Sequence, residues 1–313
     1  MIAAIQSIVS IFAMIFIGVL LAKKRIFNDE SSSLFSKLVI NLSLPLLMVK
    51  STVENFTKQS LIESGSGLLV SFTAIFVSYI IGMIIFKIIN KEGKGNSIYT
   101  MMFTFSNTIF IGLPVCISVL GEGSIPYALL YDFANSMIFW TLAIYKINEE
   151  LSATNQNNNG KNNILSKVLS PPLLSFIFSL ILVVLNIRLP KFILDICGYI
   201  GNITTPLSMF IIGTMLANID MKSYKFNLTL FFILLGKFFI VPGITIAALS
   251  LFSTPALLKN TYVLQASMPI MAQTAIVAKN YNIAAKETSY IVGLSTLLSL
   301  LILPLYVYII STL

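Results

Sequence analysis

Two ionisable residues stand deep inside apolar runs of this 313-residue chain: Asp132, within Tyr131-Asp132-Phe133-Ala134-Asn135, and Lys237, within Leu234-Leu235-Gly236-Lys237-Phe238-Phe239. A charge in hydrocarbon costs several kcal/mol unless it finds a partner or water, so each is a functional candidate by default. Three roles are open. The two pair structurally, or Asp132 takes up a proton or cation, or Lys237 attracts an anion. Two further stretches are punctuated by polar residues, Gly and Pro: Phe105-Ser106-Asn107-Thr108-Ile109-Phe110-Ile111-Gly112-Leu113-Pro114 and Ser267-Met268-Pro269-Ile270-Met271-Ala272-Gln273-Thr274. Proline removes a backbone donor and clashes with the preceding turn, which in hydrocarbon leaves a carbonyl seeking a partner. Either stretch alone reads equally well as a proline kink. As a pair they read as two helices broken at mid-depth, whose N-terminal half-helix ends favour a carboxylate. Asn107, Thr108, Gly112, Pro114, Pro269, Gln273 and Thr274 are therefore candidate substrate-binding residues.

Other chemistry is excluded by composition. The chain has no His and two Cys, Cys116 and Cys197, both in apolar stretches. That removes His-based metal sites, Ser–His catalysis and a disulfide framework. No phosphate-binding GxxxxGK[ST] loop is present, and no nucleophile–base set is visible, so neither an enzyme nor a resident metal or cofactor is expected. The net charge of +8 lies in short loops between apolar segments, where it reads as topology information and not as a nucleic-acid surface.

Those segments dominate the chain. Hydrophobic residues make up 57% and charged residues 10%, with a mean hydropathy of +0.91. Soluble proteins carry about 25% charged residues, so the expected class is an all-α polytopic membrane protein. Ten spans are predicted: 2–22, 34–50, 66–90, 97–120, 124–147, 170–188, 192–218, 226–252, 260–280 and 288–312. The first is a retained helix and not a signal peptide, because Lys23, Lys24 and Arg25 follow it. An Asn-rich linker, 148–165, separates a first five-helix repeat (1–147) from a second (166–313). Of the 20 Lys and Arg, 13 fall in or beside the loops after odd-numbered spans and 5 after even-numbered ones. The positive side faces the cytoplasm, which places the linker inside and both termini outside the plasma membrane.

Five spans per half means that the second half enters from the opposite side. Span 2 carries Asn41-Leu42-Ser43-Leu44-Pro45-Leu46-Leu47-Met48, and span 7 carries Asn202-Ile203-Thr204-Thr205-Pro206-Leu207-Ser208-Met209. Both read N-x-[ST]-x-P-L-x-M in the second span of their half, with helix breaks expected at Asn41, Pro45, Asn202 and Pro206. Spans 4 and 9 match in their mid-helix punctuation. An inverted repeat with paired broken helices points to a secondary transporter with a midplane site.

Ser106-Asn107-Thr108 followed by Gly112-Leu113-Pro114 resembles the S-N-T-G-F-x-G-L-P signature of the auxin efflux carrier family, which includes plant PIN proteins and bacterial permeases. Ser170-Pro171-Pro172, Gly201-Asn202 through Thr205-Pro206-Leu207, Tyr131-Asp132 and Ala278-Lys279-Asn280-Tyr281-Asn282 agree, so the resemblance covers the whole chain. It departs at Ile109, where the family usually has Gly; a stiffer, narrower site is expected there. The short linker resembles bacterial members. The resemblance implies a fold like that of bile-acid symporters and NhaA, with spans 4 and 9 crossing at the substrate. It also implies a scaffold of spans 1, 2, 6 and 7, often dimeric, and a mobile domain of spans 3–5 and 8–10 that moves like an elevator. Implied substrates are small organic anions, auxin-like or dicarboxylates such as malate. Asn107, Gly112 and Pro114 then mark the first crossover, and Gln273 and Thr274 the second.

The expected function is a secondary carrier of such anions, working as a homodimer in the bilayer. A Na⁺- or H⁺-coupled symporter is the runner-up, and a channel or membrane sensor fits less well. Cysteines introduced within 152–163 are expected to react with impermeant maleimides only from the cytoplasm, and cysteines at either terminus only from outside. Linker labelling in intact cells would overturn this orientation.

Overall fold

A computed structural model of the chain describes residues 2–91, 93–153, 171–217, 227–252 and 254–312. Every predicted span has a helical counterpart. The first half contains α1 (Ile2–Lys23), α2 (Asp29–Leu38), α3 (Leu44–Asn55), α4 (Lys58–Ile89), α5 (Asn96–Thr104), α6 (Leu113–Leu120), α7 (Ile125–Ile138) and α8 (Ile144–Ala153). In the second are α9 (Pro171–Val184), α10 (Lys191–Gly201), α11 (Thr204–Ala217), α12 (Leu228–Leu235), α13 (Val241–Ser250), α14 (Ala256–Ser267), α15 (Gln273–Asn280) and α16 (Ala285–Thr312). Five stretches among the described residues are long and apolar enough to cross a bilayer: Glu30–Asn55, Gly65–Ile89, Lys191–Ala217, Leu228–Ser250 and Ala285–Ser311. Shorter apolar helices accompany them. Large apolar side chains are exposed as well as buried, among them Phe16, Phe192, Leu251 and Leu301, as an exterior facing lipid requires.

Four π-helical turns interrupt these helices: Val39–Ser43, Thr108–Gly112, Phe139–Ala143 and Gly236–Ile240. The first, second and fourth each stand two residues before a proline, Pro45, Pro114 or Pro242. Proline cannot donate and its ring crowds the carbonyl four residues back; a wider turn relieves that crowding. The carbonyl vacated by Pro242 is that of Phe238, and Tyr306 donates its hydroxyl to it at 2.5 Å. In hydrocarbon such a carbonyl has to be answered from within the protein. At Pro45, Pro114 and Pro242 the π turn gives the proline ring room, whereas Pro304 lies within α16 without one.

The two N-x-[ST]-x-P-L-x-M segments meet. Thr204 Oγ1 donates to Ser43 Oγ at 3.0 Å, and these are the third positions of the two motifs. Their breaks differ: Val39–Ser43 widens into a π turn, whereas α10 ends at Gly201 and restarts at Thr204. Pro45 is buried at the start of α3, Pro206 is half-buried in α11, and Asn41 and Asn202 are exposed. Against α11 lies α1, closely enough that a Cβ on Gly213 would strike the Ile15 carbonyl and Gly18 backbone. Small residues permit such backbone approach where lipid gives no hydrophobic drive to associate. α3 packs on α9 and α10, and α4 on α5, α7 and α13.

The linker expectation needs correction at its start. Helix α8 runs on to Ala153, beyond the expected limit of 147. Asn148 Nδ2 donates to Ile144 O, Lys146 pairs with Glu149 at 2.7 Å, and Glu150 accepts the Ser97 N–H at 2.9 Å at the N-terminus of α5. A carboxylate at a helix N-terminus is favourable, so these polar residues hold a helix that hydropathy alone ended too soon. Residues 154–165 lie outside the described residues. Exchanging Gly213 for Val is expected to force α1 and α11 apart and destabilise the protein by about 1–3 kcal/mol or more, because backbone atoms cannot rotate away. Thermal unfolding in detergent measures this, with the exposed Gly243→Val, which has open space around it, as the control.

Candidate functional site: the crossing of two broken helices

Helix α5 ends at Thr104 and α14 at Ser267, and the residues that follow, Phe105 and Met268, are extended. Met268 precedes a proline, which disfavours the helical conformation. Ser106 and Asn107 compete for backbone bonds with their own side chains. The two extended segments cross as a minimal antiparallel pair. Asn107 N–H donates to Pro269 O at 2.8 Å, Met271 N–H donates to Phe105 O at 3.1 Å, and Ser106 lies opposite Ile270.

The outer edges of this pair are satisfied by side chains from the last helix of each half. Asn135 on α7 accepts the Ser106 N–H at 3.3 Å and donates to Ser106 O at 3.1 Å, standing in for a neighbouring strand. On the other side Ser295 on α16 accepts the Ile270 N–H through its hydroxyl at 3.2 Å. The sequence reading gave neither residue a role. Asn135 had a signal, an amide one turn after Asp132 in an apolar helix; Ser295 had none, because serine is common in packed membrane helices.

Asp132 and Lys237 do not pair. The Asp132 carboxylate receives hydroxyl bonds from Thr108 and, at 3.4 Å, from Ser136. Lys237 is fully buried and donates to Thr104 O at 3.2 Å and Ser106 Oγ at 2.5 Å. Each charge therefore answers one end of the broken helix. Asp132 sits by the N-terminal end that begins at Thr108, and Lys237 by the C-terminal end of α5, the signs that helix dipoles favour. That arrangement uses up, within the chain, the positive end at Thr108 that the sequence suggested for a substrate carboxylate.

Between the crossing and α3, α7 and α9 lies a cavity of about 370 Å³. Its polar wall is Asp132, Ser136 and Gln273; Ile109, Phe110, Trp140, Met48 and Pro172 supply apolar surface. Ile109, at the family's usual Gly position, puts its side chain into this wall. The candidate residues divide accordingly. Gln273 lines the cavity, and its buried Oε1 has no partner among the described residues. Thr274 Oγ1, one residue on, is buried and also unpartnered. Asn107 instead caps the half-helix, its Oδ1 accepting the Phe110 N–H at 3.3 Å. Pro269 contributes its carbonyl to the crossing, and Pro114 sits in the first turn of α6. At Gly112 a Cβ would strike Gln265 Oε1, so glycine is what lets α14 approach the π turn. Gln265 itself, fully buried with both side-chain polar atoms unpartnered, was not anticipated.

Replacing Asn135 by Leu orphans two buried backbone groups at the crossing, whereas Ser295→Ala orphans one. At roughly 1–3 kcal/mol per orphaned group, Asn135→Leu should be the more destabilising in thermal unfolding. Equal effects would show that Asn135 does not hold both atoms of Ser106.

Comparison with known proteins identifies the family. The model of the membrane transport protein family matches residues 3–307. An uncharacterized transporter of Methanocaldococcus jannaschii is 25% identical over 289 residues, 90% of either chain. Another uncharacterized transporter, from Methanothermobacter thermautotrophicus, is 23% identical over 307 residues, 96% of either chain. With the family match running nearly end to end and its motif residues lying at the crossing, the chain belongs to the membrane transport protein family, that of the auxin efflux carriers.

Proposed function

We propose that this multi-pass membrane protein is a secondary carrier of small organic anions, auxin-like or dicarboxylate, that binds its substrate in the cavity beside the crossing. The observation that carries this reading is the cavity itself: about 370 Å³, mostly apolar, with the Gln273 amide side chain and the Asp132 carboxylate in its wall. Binding sites for small molecules have this size and this sparse polar lining. In this reading ten spans form two inverted repeats, 1–147 and 166–313. Equivalent positions meet or act alike: Ser43 with Thr204, Ser106 with Ile270, and Asn135 with Ser295 as braces. Spans 1, 2, 6 and 7 serve as scaffold, and spans 3–5 with 8–10 move as an elevator. The cavity lies between scaffold helices α3 and α9 and mobile helix α7, where such a movement would open it to either side. A homodimer through the exposed faces of α2 and α10, where Leu34, Leu38, Phe192 and Ile196 are uncovered, completes the proposal.

Asp132 favours ion coupling. A substrate carboxylate about 4 Å from it would be repelled by about 4 kcal/mol at an effective dielectric of 20, so the anion must enter with a proton or cation. A Na⁺-coupled symporter is the second reading, favoured by the same carboxylate and its two hydroxyl neighbours.

The test is uptake of labelled malate and indole acids by proteoliposomes, with pH and Na⁺ gradients imposed separately. Asp132→Asn should keep exchange and lose concentrative uptake. Gln273→Ala should weaken substrate binding by about 1–2 kcal/mol, roughly five- to thirtyfold, at unchanged thermal stability. Asn107→Ala should instead lower stability by about 0.5–2 kcal/mol through loss of its cap. Normal concentrative uptake by Asp132→Asn would reject coupling at this residue, and unsaturable flux without counterflow would indicate a channel.

A further inference from the structure

The surroundings of Lys237 are those of a cation site. Its ammonium is fully buried, does not line the cavity and has no carboxylate within ion-pair distance among the described residues. Its hydrogen-bond partners among the described residues are oxygens: the Thr104 carbonyl at 3.2 Å and the Ser106 hydroxyl at 2.5 Å. The Ser106 hydroxyl in turn donates a hydrogen bond to the carbonyl of Ala266 at 3.2 Å. Thr104 ends α5 and Ala266 lies in the last turn of α14, so the C-terminal end of one broken helix meets this charge directly and that of the other reaches it through the Ser106 hydroxyl. A helix C-terminus carries roughly half a negative charge, and its last carbonyls lack intrahelical donors. The Thr104 hydroxyl is buried too and has no hydrogen-bond partner among the described residues. Nothing but glycine would let the lysine arrive here: a Cβ on Gly236 would strike the Phe103 ring, in the turn that precedes Thr104.

We infer that the Lys237 ammonium is a tethered cation occupying an oxygen-lined site between the two helix C-termini, a site that takes a small monovalent cation when the ammonium is removed. The lysine thereby fills permanently a place that would otherwise require an ion from solution, and the crossing is held at any Na⁺ concentration. This concerns a site separate from Asp132 and holds whether or not transport is ion-coupled.

The test is thermal unfolding of the purified protein in detergent, in ammonium, potassium, sodium or choline chloride at equal concentration. Wild type should unfold at the same temperature in all four. Lys237→Ala should unfold earlier in choline, which is too large for the site. It should recover in one of the small cations, its midpoint rising with the logarithm of that cation's concentration as ligand linkage requires. Lys237→Met, which fills the space with an apolar chain, should not recover. Identical midpoints for Lys237→Ala in every salt, or the same small-cation gain in wild type, would overturn the inference. If Lys237→Ala folds only when purified in a small cation, that supports it; failure to fold in every salt overturns it.

Discussion

Backbone groups that leave a helix inside hydrocarbon have no water to turn to, and each one left unpaired costs several kcal/mol. Phe105 to Asn107 and Met268 to Ala272 leave their helices together, and they survive because each supplies part of what the other lacks. The crossed pair of bonds between Asn107 and Pro269, and between Met271 and Phe105, answers the inner edge. Asn135 and Ser295 supply outer-edge bonds to Ser106 and to the Ile270 N–H. Remove the crossing, and neither break could exist alone in a membrane. The cavity, the buried charges and the packing of α14 against Gly112 all follow from holding these two segments together.

The same economy governs the charges. A buried ion pair between Asp132 and Lys237 would have placed both at one point. Instead the chain uses each to neutralise a different half-helix end, a carboxylate beside the N-terminal end and an ammonium beside the C-terminal ends. The two helix dipoles at the first break are thus compensated before any substrate arrives. Gln273 Oε1 and Thr274 Oγ1 remain unpartnered among the described residues, on the side of the crossing nearest the cavity wall that Gln273 forms.

Prolines in the helices show how local chemistry is absorbed without loss of the axis. Pro45, Pro114 and Pro242 each follow a π turn, which widens the helix where the proline ring needs room. Where a carbonyl is set free, as at Phe238, a hydroxyl from α16 reaches it. Tight backbone contacts do the complementary work, at Gly18 and Gly213 between α1 and α11 and at Gly236 against Phe103.

By itself the sequence determined the class, the helical segments and which helices are broken, but not where the first one opens: Gly112 and Pro114, read as its crossover, lie in helical turns, and the chain leaves the helix at Phe105. Apolar runs of about 20 residues leave a membrane helix as the one stable local structure, and Pro269 or the Ser106-Asn107-Thr108 punctuation marks a break by its own stereochemistry. The repeated N-x-[ST]-x-P-L-x-M and the family signature were legible for the same reason, since residue type and spacing carry them. Tertiary structure decided which groups answer the breaks. Whether Asp132 would meet Lys237 or Thr108 depends on how α7, α12 and the crossing pack, and hydropathy holds no information on rotation about a helix axis. Asn107, read as a ligand, became a cap, while Asn135 and Ser295, assigned no role, became braces, because an amide or hydroxyl acquires its role only from the backbone group it faces. The limit of α8 shifted likewise, since Glu150 finds the N-terminus of α5 only in the folded chain.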